Sequence, residues 1–74
     1  MKDYLLNKKI TLDDKSEYVI IATSTLNGSF YVLGQEVVNN SLGSMLAVFR
    51  FLNNSLVLEE DTNICKQVLN NAII

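Results

Sequence analysis

Histidine, proline and tryptophan are absent from the 74 residues, and cysteine occurs once, at Cys65. A lone cysteine cannot close an internal disulfide, which excludes a secreted disulfide scaffold. With no imidazole and one thiol, a Cys/His zinc site within one chain is excluded as well. The missing imidazole also removes the commonest general base and the Ser-His and Cys-His nucleophile pairs. Glycine is scarce, and Gly28, Gly34 and Gly43 stand alone, so no phosphate-binding or dinucleotide-binding loop is present. Apolar runs such as Tyr18-Val19-Ile20-Ile21-Ala22 fall far short of the roughly 20 residues that cross a bilayer. Tyr4-Leu5-Leu6 is too short for the apolar region of a signal peptide, and Asn7-Lys8-Lys9 follow at once. These absences lead to the expectation of a soluble cytoplasmic protein with no membrane contact and no cofactor.

Positive charge is also sparse. Lys2, Lys8, Lys9, Lys15, Arg50 and Lys66 are scattered through a chain of net charge −2. A nucleic-acid binder shows a basic face, with a pI above about 9 for the domain. At pI ≈ 4.8, direct binding to nucleic acid is not expected.

What the sequence does contain is apolar residues, 49% of the chain, divided by polar turns. Asp13-Asp14-Lys15-Ser16 reads as a four-residue hairpin loop, and Asn27-Gly28 is the preferred pair for a type I′ turn. Asn39-Asn40-Ser41-Leu42-Gly43-Ser44 reads as a longer polar loop. Asn53-Asn54 is a weaker two-residue hairpin signal. The segments between are strands, expected over residues 5–12, 17–24, 29–38, 45–52 and 55–59. In the first, Leu6, Ile10 and Leu12 share a face, and Lys8 suits an edge. Residues 17–24 set Tyr18, Ile20 and Ala22 against Val19, Ile21 and Thr23, so both faces are apolar. The period changes in the tail, where Ile64, Cys65, Val68, Leu69, Ala72 and Ile73 fall at helical spacing behind a capping Asp61. The expected fold is one α+β domain over residues 1–74. It is a curved five-stranded antiparallel β-meander with one C-terminal amphipathic helix, residues 61–73, packed on it.

The segment Lys9-Ile10-Thr11-Leu12-Asp13-Asp14-Lys15-Ser16-Glu17-Tyr18-Val19-Ile20 resembles the opening of a set of short, uncharacterised β-rich proteins of low-GC Gram-positive bacteria and their phages. Asn27-Gly28-Ser29-Phe30-Tyr31-Val32-Leu33 and Leu58-Glu59-Glu60-Asp61 fit later positions of that pattern, and Ser16 stands where it prefers glycine. The resemblance implies the fold and transfers no site.

No catalytic, cofactor or metal residue emerges. Asp13, Asp14 and Glu17 form the densest acidic cluster, but Lys15 interrupts it and no glycine-assisted calcium loop follows. Candidate protein contacts are Arg50 with its neighbours Phe49 and Phe51, and the acidic residues Asp13, Asp14, Glu59, Glu60 and Asp61. Arg50, the only arginine, reads either as an interface anchor or as the solvent-facing residue of an inward strand. Glu59, Glu60 and Asp61 suit a basic partner and equally suit the positive end of a helix. Cys65 reads as a small core hydrophobe, with a redox role left open.

Residues 17–24, 29–38 and 45–52, all apolar on both faces, outrun what one short helix can cover. Either the sheet curls on itself or the uncovered face meets another copy. The expectation is a non-catalytic protein-binding module that forms a homodimer, with a host protein as a further candidate partner. The alternative is a phage or mobile-element inhibitor of a host nucleic-acid enzyme, anti-CRISPR-like, presenting carboxylates in place of phosphates.

Overall fold

Residues 5–71 are described by a computed structural model. Lys2, Tyr4, Ala72 and Ile73, used in the sequence argument, lie outside that range. Lys9–Thr11 (β1), Glu17–Leu26 (β2), Ser29–Val38 (β3), Ser41–Leu52 (β4) and Ser55–Leu58 (β5) precede a helix, Thr62–Asn71 (α1). The strands form one antiparallel sheet in sequential order, curled into a half-barrel, with the helix packed on it.

Turn chemistry sets this order. Asn27-Gly28, Asn39-Asn40 and Asn53-Asn54 all have positive φ at both positions, between 50° and 80°. That is the requirement of a type I′ turn, whose twist matches the strands it joins. The long loop expected over residues 39–44 is therefore a two-residue turn, and β4 begins at Ser41. Asparagine enters the left-handed region more readily than other side chains, so a second asparagine stands in for glycine. The β1–β2 turn is one residue shorter than expected. The Leu12 amide donates to the Ser16 carbonyl at 2.9 Å, and Lys15, at φ 71°, occupies the left-handed position of a three-residue loop.

The first strand is shorter than residues 5–12. Asn7, at φ 68°, breaks the alternation, so Leu5 packs into the core while Leu6 is exposed. Two irregularities re-aim the central strands. Ile20 lies opposite Gly34 and Ala22 opposite Leu33, which leaves Ile21 as an extra residue on β2. Tyr18 and Ile20 consequently face the inside of the curl, while Ala22 faces the helix, in place of the shared face expected for all three. Between β3 and β4, Gln35 opposes Leu46 and Val37 opposes Leu42, so residues 43–45 bulge opposite Glu36 alone. Gln35 Nε2 donates to the Gly43 carbonyl at 3.0 Å and holds this bulge.

The core has two sides. Ile20, Val32 and Phe49 are fully buried inside the curl, with Ile10 and Leu56 from the edge strands and Leu12 just after β1 packed around them. Ala22, Tyr31, Leu33 and Val48 lie on the other face, under Val68 of the helix. Of the two outcomes left open by the two-sided apolar strands, curling accounts for the face opposite the helix. A ten-residue helix is marginal alone, so tertiary packing holds it. Full burial of Val68 contributes about 1.5–3 kcal/mol.

Candidate protein-interaction site

Alternation along β4 separates the three residues singled out at its centre. Phe49 points into the curl and is fully buried, with Tyr18 edge-on to its ring at a centroid distance of 5.6 Å. It has no surface to offer a partner, which corrects its place among the candidate contacts. Phe51 is half-buried and meets Phe30 edge-on at 6.1 Å. Arg50 points to the helix side, beyond the reach of α1, and is exposed between its cross-strand neighbours Tyr31 and Val57.

Around Arg50 lies an apolar strip that sequence reasoning did not single out. Leu46 and Leu52, in step with Arg50 along β4, are each 45% exposed, and Val57 beside it is 48% exposed. Where β5 leaves the sheet, Leu46, Leu58 and Leu69 line a cleft of about 210 Å³ together with Leu33, Val48 and Cys65. The helix packs on β2, β3 and β4 and leaves this outer part of the sheet uncovered. The signal was present in the alternation of residues 46–52, but the position of the helix margin was not.

The carboxylates have mostly local roles. Asp61 Oδ1 accepts from the Asn63 amide at 2.9 Å and the Ile64 amide at 3.3 Å, the expected N-cap. Glu59 Oε2 accepts from the Asp61 amide at 3.2 Å, while Glu60 is exposed. Asp14 accepts from both the hydroxyl and the backbone amide of Ser16, and these bonds hold its carboxyl below the ordinary range. Asp13 is exposed at the same turn. Cys65 donates from Sγ to the Glu59 carbonyl at 3.5 Å. Burial, then the carboxylates of Glu59 and Asp61, push its thiol pKa up, so the helix N-terminus does not produce a reactive thiolate.

The curl leaves the sheet open along one seam. Ile10, Thr11, Leu12, Asp13 and Asp14 face Leu56, Val57 and Leu58 across a cleft of about 510 Å³. Both β1 and β5 are edge strands there. Alternation of ladder bonds fixes which backbone groups are free. The Leu12 amide bonds to the Ser16 carbonyl just before β2, and the Ile20 amide of β2 bonds to the Lys8 carbonyl at 2.9 Å. The amides and carbonyls of Lys9 and Thr11 therefore point outward.

No family model, curated protein or solved structure matches this chain. Among the described residues, no group of three or more acidic, cysteine or histidine side chains is placed to hold a metal ion. No described helix is long and apolar enough to cross a membrane.

Proposed function

We propose that this chain is a small non-catalytic protein-binding module that acts as a homo-oligomer, most simply a homodimer, in the cytoplasm. The observation that carries the reading is the strip formed by Leu46, Arg50, Leu52 and Val57, with Leu58 and Leu69 at its end where β5 leaves the sheet. It combines large apolar side chains, each at least 41% exposed, with a single arginine at its centre. Contact surfaces are enriched in arginine and depleted of other charge at their core, and exposed apolar patches rimmed by polar groups mark such surfaces. The open edges of β1 and β5 add support for self-association, since an edge strand offers unpaired backbone groups to another chain. A catalytic reading gains no support, because the titratable side chains are spread over turns and a helix cap rather than gathered in a cleft.

Sedimentation equilibrium across the micromolar range tests the reading. A mass that rises from 8.3 kDa toward twice that value is expected. A mass that stays at the monomer value to high micromolar concentration overturns it. The phosphate-mimic alternative requires a continuous acidic face; Asp14, Glu59 and Asp61 are instead engaged in turn and cap bonds.

A further inference from the structure

β1 and β5 run in the same direction, because each strand of the sheet is antiparallel to the next. They face each other along the seam of the curl, across the cleft of about 510 Å³. One strand laid between them is therefore antiparallel to both. The outward backbone groups also match in phase. On β1 they belong to Lys9 and Thr11, whose side chains face solvent. On β5 the Glu59 amide bonds to the Val48 carbonyl, so Val57 and Ser55 also turn their backbone groups to β4. Leu56 and Leu58 turn theirs into the seam, and their side chains face the inside of the curl, Leu58 opposite Phe49. A single strand alternates in both respects. Its outward-facing residues bond to β1 and its inward-facing residues bond to β5, so one phase satisfies both edges.

The seam also has a direction in charge. Lys8 and Lys9 are exposed at the start of β1, and Lys9 Nζ lies 3.7 Å from Glu17 Oε1. Asp13 and Asp14 line the mouth of the cleft beyond the end of β1. These two belong to the turn, outside the strand pairing, and act on an entering segment only through their charge. A segment antiparallel to β1 starts at this acidic mouth and ends at the lysines, so complementarity places a cation first and an anion last. Between these ends its inward side chains meet Ile10, Leu12 and Leu56, each half-buried, and Leu58, 44% exposed. Those inward side chains are apolar. Either edge alone is open to a second copy, but a strand bonded on both sides has no edge left for a sheet of its own. The occupant is a free extended segment.

We propose that the seam binds an extended segment of another protein, about five residues long, as a sixth strand between β1 and β5 that closes the half-barrel. The segment is cationic at its N-terminal end, apolar at the positions that face inward, and acidic at its C-terminal end. This rests on the protein-binding part of the reading above. The strip around Arg50 stays available for the homodimer.

The probe is the end-capped pentapeptide Arg-Ile-Thr-Val-Glu, added to the intact chain and followed by amide chemical shifts. Binding with shifts centred on Lys9, Thr11, Leu56 and Leu58 is expected. Exchanging the end charges, to Glu-Ile-Thr-Val-Arg, should weaken binding roughly threefold to tenfold. N-methylation of the peptide at its Thr removes a donor to β1, and at its Val a donor to β5; each should weaken binding about tenfold. Thr11→Pro deletes an outward amide, spares the β1–β2 ladder, and should have a similar effect. If only one of the two methylations weakens binding, the peptide lies on a single edge and the closure is overturned. Shifts centred on Leu46, Arg50 and Leu52 would also overturn the proposal. No binding at millimolar peptide overturns it and leaves the homodimer, read by sedimentation, standing. Dimers that dissociate as the peptide binds would place a second copy in the seam and overturn the assignment of the occupant.

Discussion

Gly34 lies beneath the ring of Phe49. A Cβ at position 34 would stand 3.1 Å from Phe49 Cε1 and 3.2 Å from Tyr18 Cβ. Neither neighbour can retreat easily, since Phe49 is fully buried and its ring is held edge-on to Tyr18. Gly34→Ala should cost about 1–3 kcal/mol by overpacking. Gly43→Ala meets the tip of Glu36, with Oε1 at 2.7 Å, and that flexible side chain can swing away, while Val38 Cγ2 at 3.4 Å is an ordinary contact. It should change stability by no more than about 0.5 kcal/mol. Urea midpoints of the two variants separate these outcomes.

Lys15 occupies a left-handed conformation at φ 71°, which costs a non-glycine residue roughly 1–2 kcal/mol. Lys15→Gly relieves this but makes the unfolded chain more flexible, at about 0.4–1 kcal/mol. A net gain of about 0.5–1 kcal/mol is expected in a denaturant titration. Lys15→Val should lose stability, because a β-branched side chain is poorly accommodated there.

The hairpins were legible to the extent that their turns carry recognisable pairs. Asn27-Gly28 and Asn53-Asn54 mark turns where the structure has them. Asn39-Asn40 reads as part of a longer loop because Ser41, Gly43 and Ser44 continue the polar run, although they belong to a bulged strand. The extra residue at Ile21 had no signature. Ile20, Ile21 and Ala22 are all apolar, so the period-2 pattern does not reveal a change of phase. The cap at Asp61 was fully local and therefore readable. Which candidate contacts stay exposed depends on the curl and the helix margin, which only long-range packing decides, and Phe49 is buried by that packing.

Asp61 closes the helix start through two backbone amides, so Asp61→Ala should destabilise the chain by about 0.5–2 kcal/mol. Asp61→Ser or Asp61→Asn should retain most of it. Far-UV circular dichroism and urea midpoints, read together, distinguish loss of the cap from general destabilisation.

Cys65 has its pKa raised above its ordinary 9.0 by burial and by Glu59 and Asp61. A raised pKa in the folded state means that the neutral thiol is favoured there. Its contribution to stability is full below the unfolded pKa and is lost as pH rises through the folded one. Alkylation at pH 8 should be slower in the native chain than in urea. Cys65→Ala should abolish the fall in stability above about pH 9 that this thiol causes. Equal alkylation rates in both states would contradict this account.

The most direct test of the central claim is the mass of the wild-type chain by sedimentation equilibrium, at low salt and across the micromolar range. Self-association predicts a mass that rises from 8.3 kDa toward twice that value as concentration increases. A single species of 8.3 kDa at high micromolar concentration and low salt would contradict it.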